Sequence, residues 1–273
     1  MSRIENALNK AVGAQAPAPA PRKASVPPPS AGADEVAASN LKEHMLQMAA
    51  APKSQVSEEY RKLKEAFIRA ASREGFDNVV LVTSANPKEG KSVTTLNLAI
   101  SLAQEFDYTV LVVDADLRAP VCHKYLGIDA GPGLSDCLEG RATCGEVLVK
   151  TGVGRLVLMP AGKPVANPAE LLASNKMRQL LQELKHRYPD RFILIDSPPA
   201  KLFAETRALA AVADATILVV REGVSSVEDV SETVGVLDHK VMGIVYNDAG
   251  EAPFRKAAHY YQYAYSQPEG AGQ

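Results

Sequence analysis

Six short apolar runs alternate with longer stretches of helical periodicity, and this alternation is the strongest constraint on the fold. Runs that are apolar at successive positions predict strands buried on both faces, which is typical of a parallel sheet with helices between its strands. The sequence therefore predicts an α/β fold with a doubly wound, mostly parallel sheet. The predicted strands are Val79 to Thr83, Thr109 to Asp114, Leu156 to Met159, Phe192 to Asp196, Ala215 to Val220 and Val241 to Tyr246.

Composition divides the chain into three predicted regions. Seven of the 18 prolines fall within residues 1–52, among alanine and serine, so this region has too few large apolar groups to offset the entropy of ordering. We expect a short N-terminal helix and a Pro/Ala-rich disordered linker there, a folded domain over residues 53–248 that begins with an amphipathic helix at Ser57 to Ala71, and a flexible tail over residues 249–273. The N-terminal helix has two interpretations, a docking helix for another protein or a frayed end with accidental periodicity.

Charge and cysteine content exclude several classes of protein. The chain has 30 Lys+Arg against 32 Asp+Glu and a formal net charge of -2, so we expect no global attraction to nucleic acid. Its three cysteines are an odd number whose spacing matches neither a zinc pair nor a redox motif, and we expect free thiols in a reducing compartment. No apolar stretch reaches the roughly 18 to 20 residues of a bilayer span. The sequence thus predicts a cytoplasmic protein, and any contact with a membrane is expected to come through a partner.

A phosphate-binding loop is predicted between the first strand and the helix that begins near Ser92. The backbone N–H groups of such a loop, and the positive end of the helix, bind phosphate oxygens. Lys91 is expected to reach the β and γ phosphates, and the Ser92 hydroxyl to coordinate Mg²⁺. The strict G-x-x-x-x-G-K-[ST] pattern fails at Ala85, and the alternative interpretation is a surface loop with one exposed lysine. The residues predicted to bind the nucleotide in this loop are Pro87, Lys88, Glu89, Gly90, Lys91, Ser92 and Val93.

Three aspartates follow two of the predicted strands, Asp114 and Asp116 after one and Asp196 after another. Ligands of open α/β sheets lie beyond the carboxyl ends of the strands, so all three acids are expected to face the crevice of the phosphate loop. Asp196 is best placed to hold Mg²⁺, directly or through its water, and Ser92 and Asp116 complete the predicted metal ligands. Asp114 and Asp116 share the remaining tasks of positioning the metal and accepting a proton, with Asp114 the first choice for the base. For a single strand-end aspartate, a helix cap or a turn is the alternative.

These motifs together resemble the bacterial tyrosine kinases, P-loop enzymes that control capsule and exopolysaccharide synthesis. The resemblance rests on Pro-Lys-Glu-Gly-Lys-Ser at residues 87–92, on Asp-Ala-Asp-Leu-Arg at 114–118, on Asp-Ser-Pro-Pro at 196–199 and on Asn-Pro-Ala-Glu-Leu-Leu at 167–172, and it covers about residues 53–266. It implies a P-loop NTPase fold of the partition-ATPase-like type, ATP and Mg²⁺ as cofactors, and protein-tyrosine autokinase activity with Lys91, Asp114 and Asp116 in catalytic roles.

The resemblance also implies partners. These are an integral-membrane polysaccharide co-polymerase as activator, further copies of the chain in a ring, and a cognate tyrosine phosphatase. The family's ring contact is a Glu-x-x-Arg-x-x-Arg helix, which Glu58, Arg61 and Lys64 match except that the last residue is lysine. A lysine cannot make the planar bidentate contact of an arginine. Lys88 stands where the family usually has glycine, and it either adds charge beside the phosphates or points to solvent.

Four of the nine tyrosines lie within six residues near the C-terminus. The resemblance implies that this cluster, Tyr260, Tyr261, Tyr263 and Tyr265, is phosphorylated by a neighbouring subunit. An aromatic patch that binds a partner surface is the alternative. Asn247, after the last strand, either meets the adenine ring or forms a turn.

A nucleotide-switched ATPase of the partition type, without a kinase role, is the alternative function. The lysine that distinguishes that type falls at Asn86 and is therefore absent.

Overall fold

The structure is a computed structural model that describes residues 45–72, 77–187, 191–237 and 240–250. Its strands are β1 (Val79–Ser84), β2 (Thr109–Asp114), β3 (Val149–Lys150), β4 (Leu156–Met159), β5 (Arg191–Asp196), β6 (Ala215–Arg221) and β7 (Val241–Asn247). Its helices are α1 (Gln47–Ala50), α2 (Gln55–Ala71), α3 (Lys91–Ala103), α4 (Cys122–Tyr125), α5 (Leu134–Leu138), α6 (Pro168–Leu172), α7 (Asn175–Arg187), α8 (Ala204–Val212) and α9 (Val227–Val236), with a 3₁₀ turn at Cys144–Val147. Among these helices none combines the length and the apolarity that a bilayer span requires.

The strands form one sheet in the order β3-β4-β2-β5-β1-β6-β7. All neighbours are parallel except β3, which runs antiparallel to β4. Side chains of β1 alternate between two apolar clusters, with Val79 and Leu81 in one and Val80 and Val82 in the other. This alternation follows from the two-residue period of a strand and places a core on each face of the sheet. The predicted doubly wound, mostly parallel α/β fold is confirmed.

The predicted strands agree with the structure to within one residue at each end. β3 was not predicted, because a two-residue strand has no hydrophobic pattern of its own. Helix α2 begins at Gln55 rather than Ser57, since Ser54 is its N-cap and accepts a hydrogen bond from the Ser57 N–H at 3.1 Å.

The prediction that the last strand is buried on both faces is wrong for β7. Ile244 and Tyr246 are 54% and 58% exposed. β7 lies at one edge of the sheet, where β6 is its only neighbouring strand among the described residues. A groove of about 700 Å³ separates it from α2, with Val56 and Leu63 on the helix side.

The linker was predicted to extend to residue 52, but the packed part of the chain begins earlier. Leu46 and Met48 are fully buried against the apolar cluster that includes α3. Asn97 on α3 holds this segment by accepting a hydrogen bond from the Met48 N–H at 3.0 Å and donating one to the Met45 carbonyl at 2.8 Å. The segment is thus held by two buried apolar side chains and by Asn97, features that the average composition of residues 1–52 does not show. The predicted N-terminal helix and most of the linker lie outside the described residues.

Candidate nucleotide site

The loop between β1 and α3 closes at Gly90, the N-cap of α3. Gly90 has a φ of 90°, and a Cβ atom at this position would lie 2.2 Å from the Nδ2 atom of Asn247. Only glycine fits there. Because the first N–H groups of a helix have no acceptor within the helix, those at the start of α3 are available to an anion, and the helix dipole adds positive potential. The structure thus places a potential phosphate cradle where the sequence predicted it.

Lys91 points into the crevice and not to solvent. Its Nζ atom lies 3.2 Å from the Oδ2 atom of Asp116, whose Oδ1 atom accepts a hydrogen bond from the Ala119 N–H at 3.1 Å. Burial acts to lower the pKa of Lys91, but the carboxylates of Asp196 and Asp116 outweigh it and raise that pKa above its ordinary value. Lys91 therefore carries a positive charge at neutral pH. The alternative interpretation of an exposed loop lysine does not fit this geometry.

Asp114 and Asp196 are cross-strand neighbours at the carboxyl ends of β2 and β5. Both side chains are fully buried. The Cys122 N–H donates a hydrogen bond to Asp114 Oδ2 at 3.1 Å, while Asp114 Oδ1 has no hydrogen-bond partner among the described residues. Asp196 is contacted by the side chain of Ser92 and, at 3.5 Å, by the Thr95 hydroxyl. Two acids and a hydroxyl of the phosphate loop therefore meet at one point.

Burial dominates the ionisation of this cluster. Together with the charge of Asp196, it raises the pKa of Asp114 to about 8. It also raises the pKa of Asp196 to about 6, although Lys91 and the Ser92 hydroxyl oppose this shift. The pKa of the Cys122 thiol is raised by burial and then by Asp114, so the thiol stays neutral. The aspartates of this cluster outnumber the one lysine, Lys91, that lies beside them among the described residues.

The donor set fits a hard divalent cation. Carboxylate and hydroxyl oxygens are the ligands that Mg²⁺ prefers, and an unpartnered buried carboxylate oxygen is costly unless something binds it. Of the predicted metal ligands, Ser92 and Asp196 are in contact, with Asp114 beside them. The third, Asp116, is paired with Lys91 at the edge of this group and stays a predicted ligand.

Glu89 and Asn247, both predicted to bind nucleotide, have their side chains engaged in holding the loop. The buried carboxylate of Glu89 accepts hydrogen bonds from the Asn86 N–H at 2.7 Å, the Ser225 hydroxyl at 2.6 Å and the Arg221 N–H at 3.3 Å. The Asn247 amide donates to the Glu89 carbonyl at 2.9 Å. These contacts tie the loop to the ends of β6 and β7.

The remaining predicted residues are spread around the loop. Pro87 and Lys88 are exposed at its outer turn, and Lys88 has a φ of 65°, a conformation that favours glycine. Val93 is half-buried in the first turn of α3. The tyrosine cluster Tyr260, Tyr261, Tyr263 and Tyr265 lies outside the described residues.

Sequence reasoning missed two residues of the cluster. Thr95 lies one helical turn after Lys91 and its hydroxyl donates to the Lys91 carbonyl at 2.8 Å, so helical periodicity could have placed it beside the loop. Cys122 was predicted only as a free thiol. Cys122 lies next to Asp114 because of how the segment after β2 folds, and the spacing of residues in the sequence does not predict that fold.

Comparison with known proteins places the chain in a family. A family model described as an AAA domain matches residues 79–241. The putative tyrosine-protein kinase CapB of Staphylococcus aureus is 31% identical over 78% of this chain and 91% of its own length. The putative tyrosine-protein kinase EpsB of Ralstonia solanacearum is 33% identical over 77% of this chain, which spans only 28% of that longer protein.

A solved structure agrees with this relationship. The kinase domain of the Escherichia coli tyrosine kinase ETK superposes with a TM-score of 0.68 at 27% identity, covering 76% of this chain and 82% of that domain. Three findings therefore point the same way: the family model, a relative matched over nearly its whole length, and a kinase domain of the same fold. The P-loop crevice described above is consistent with all three. The chain belongs to the bacterial tyrosine kinase family, whose members are protein-tyrosine kinases with a nucleotide-binding P-loop.

Proposed function

We propose that the chain is an ATP-dependent protein-tyrosine autokinase that phosphorylates its own C-terminal tyrosine cluster in trans and regulates exopolysaccharide or capsule synthesis. The observation that carries this proposal is the convergence of Lys91, Asp114, Asp116 and Asp196 beside the start of α3. Phosphoryl transfer depends mainly on positioning and on neutralising charge, and this set of groups supplies both.

The residues of the crevice divide the work as follows. Lys91 and the first N–H groups of α3 hold the phosphates, while Ser92 and Asp196, with Asp116, hold Mg²⁺. Bound Mg²⁺ neutralises charge on the phosphates. In its ionised form Asp114 accepts the proton of the attacking phenol, and its raised pKa makes that carboxylate a stronger base than an ordinary aspartate.

The proposed partners follow from the family. We infer an integral-membrane polysaccharide co-polymerase as activator, which recruits this chain to the inner face of the membrane, a homo-oligomeric ring, and a cognate tyrosine phosphatase. In the structure Glu58 pairs with Arg61 within α2, and Lys64 pairs with Glu105. Ring formation through these residues therefore requires that their contacts within the chain be exchanged for contacts between copies.

The direct test incubates the purified protein with ATP and Mg²⁺ and maps phosphotyrosine by mass spectrometry. We expect modification within residues 260–265, reduced at least about 100-fold in Lys91→Met, because a phosphate-binding cation in a preorganised site contributes that much. Lys150→Met is the matched control, because Lys150 is an exposed lysine on the edge strand β3, outside the crevice. We expect this variant to be modified as the wild type is. Modification that persists in Lys91→Met would overturn the assignment of the site.

A mixing experiment tests transfer between chains. A variant with all four tail tyrosines changed to phenylalanine is mixed with Lys91→Met, which keeps the tyrosines. Phosphotyrosine on the Lys91→Met chain is the expected result. If phosphotyrosine appears only on chains that carry both Lys91 and the tail tyrosines, transfer occurs in cis.

The alternative, a nucleotide-switched ATPase, predicts another outcome. It gives ATP hydrolysis in the presence of the membrane partner without any phosphotyrosine in the tail.

Substituting Asp114, Asp116 and Asp196 singly by asparagine separates the roles of the three aspartates, because loss of a base leaves nucleotide affinity intact while transfer fails.

A further inference from the structure

The buried thiol of Cys122 lies beside Asp196 in the crevice, and no step of the proposed function uses it. Its Sγ atom donates a hydrogen bond to Asp196 Oδ2 at 3.4 Å, and its side chain also faces Asp114. One ligand atom from each of Asp114, Cys122 and Asp196 lies within 4.8 Å of the other two, and all three residues are buried. A sulfur and two carboxylate oxygens thus converge on one point.

A second observation, the unpartnered oxygen of Asp114, points to a ligand at this place. The backbone N–H groups of Cys122 and Asp116 both face the Asp114 carboxyl, yet only Cys122 makes a well-formed bond, and Asp114 Oδ1 is left without a partner among the described residues. Lys91, the nearby cation, is paired with Asp116. A fully buried carboxylate oxygen in this state is expected to bind a ligand, since leaving it unpaired is costly.

The sulfur decides which cation fits best. Mg²⁺ prefers oxygen ligands in octahedral geometry, whereas zinc accepts sulfur and carboxylate oxygen in a tetrahedron. With Zn–S of about 2.3 Å and Zn–O of about 2.0 Å, a tetrahedral site has an S···O separation of about 3.5 Å. The Cys122 Sγ to Asp196 Oδ2 distance of 3.4 Å matches this value.

We propose that Asp114, Cys122 and Asp196 form a site for a thiophilic divalent cation such as Zn²⁺, and that its occupation blocks the binding of the magnesium nucleotide. The cation replaces the thiol proton of Cys122 and the carboxyl proton of Asp114, both of which leave to solvent, and it forms a metal–sulfur bond, with a water in the fourth position. Blocking follows because the cation takes Asp196 and Asp114, and this second part rests on the proposed function. The first part concerns the protein without nucleotide.

Cobalt(II) is the probe for the site, because a cobalt–thiolate bond absorbs in the near ultraviolet. Co²⁺ is added to the nucleotide-free protein, to Cys122→Ser and to the double variant Cys137→Ser/Cys144→Ser, in which the other two free cysteines are replaced. We expect the thiolate band in the wild type and in the double variant and its loss in Cys122→Ser. A band that survives in Cys122→Ser, or disappears only in the double variant, overturns the site.

X-ray absorption of the zinc-loaded wild type keeps the test valid if Cys122→Ser fails to fold. We expect one sulfur at about 2.3 Å from zinc together with oxygen ligands. A shell of oxygen and nitrogen atoms alone contradicts the proposal.

The blocking step is tested by measuring the affinity for ATP and Mg²⁺ at buffered Zn²⁺ concentrations. We expect zinc to weaken nucleotide binding at least about tenfold in the wild type and less than about twofold in Cys122→Ser. Zinc bound at Cys122 without an effect on nucleotide affinity overturns the blocking step. If cobalt binds through Cys122 but the protein binds no nucleotide, the proposed function is contradicted and the metal site stands. If nucleotide binds normally but the cobalt band is absent, the metal site is contradicted and the proposed function stands.

Discussion

Glu89 and Asp114 are both buried carboxylates at the carboxyl edge of the sheet, yet their surroundings differ. Glu89 accepts hydrogen bonds from two backbone N–H groups and one hydroxyl. Asp114 has one oxygen without a partner among the described residues and a second acid, Asp196, beside it. The first carboxylate is fully satisfied by the protein, and the second is not.

This difference separates a structural acid from a functional one. Burial alone does not identify function, because both side chains are inaccessible to solvent. The number of hydrogen-bond partners does identify it, since a protein rarely leaves a buried polar atom without a partner unless a ligand binds there. Glu89 is therefore assigned to the loop framework, and Asp114 to the ligand site.

The largest expected effect is the loss of stability in Glu89→Gln. The amide keeps one acceptor oxygen but turns an NH₂ group toward buried donors, so we expect a loss of about 3 kcal/mol in the free energy of unfolding. Urea denaturation of the nucleotide-free protein measures this. The control Glu183→Gln, on the exposed face of α7, should change stability by less than about 0.5 kcal/mol. An equally small change in Glu89→Gln breaks the comparison.

The matched substitution Asp114→Asn is expected to have the opposite sign. It removes a buried acid that lies next to another acid, so the nucleotide-free protein should gain about 2 kcal/mol at pH 8 by urea denaturation. Asp116→Asn, which removes the partner of Lys91, should give no gain. Destabilisation in Asp114→Asn would show that this carboxylate is structural after all.

The pH dependence of stability sharpens the same contrast. The pKa of Asp114 rises from 3.8 in the unfolded chain to about 8 in the folded protein. Between these values the folded protein retains a proton that the unfolded chain has lost, so this group makes stability fall as pH rises. We expect the difference in unfolding free energy between wild type and Asp114→Asn to grow by about 2 kcal/mol from about pH 6 to about pH 8. Parallel pH profiles of the two proteins would contradict this.

The smallest effect concerns the exposed turn of the loop. Lys88 has a φ of 65°, which is strained for a residue with a side chain. Lys88→Gly should stabilise the protein by about 0.5–1 kcal/mol in urea denaturation. Lys88→Gln removes the charge but keeps the strain and serves as the control. A gain of the same size in Lys88→Gln assigns the effect to charge.

Local patterns predicted the scaffold of the site well. Strand ends fixed the positions of Asp114 and Asp196, and the strand, loop and helix order placed Lys91 and Ser92 correctly, because each depends on a short stretch of chain. The exposure of β7 was predicted wrongly, since position at the edge of a sheet is a property of the topology.

The contacts that distinguish Glu89 from Asp114 could not be predicted. The partners of Glu89 come from Arg221 and Ser225, which are more than a hundred residues away in the chain. The neighbours of Asp114 depend equally on tertiary packing around Cys122. Sequence therefore identified the acids, whereas only the fold separates those that hold the loop from those placed to bind a ligand.

Titration calorimetry of the wild-type chain with ATP, with and without Mg²⁺, tests the central claim most directly. The account predicts one nucleotide bound per chain, a clear dependence on Mg²⁺, and an affinity at least about tenfold weaker in both Lys91→Met and Asp196→Asn. Undiminished, magnesium-independent binding in these two variants, or no binding to the folded wild type, would contradict the claim that Lys91 and the buried acids surround one magnesium nucleotide.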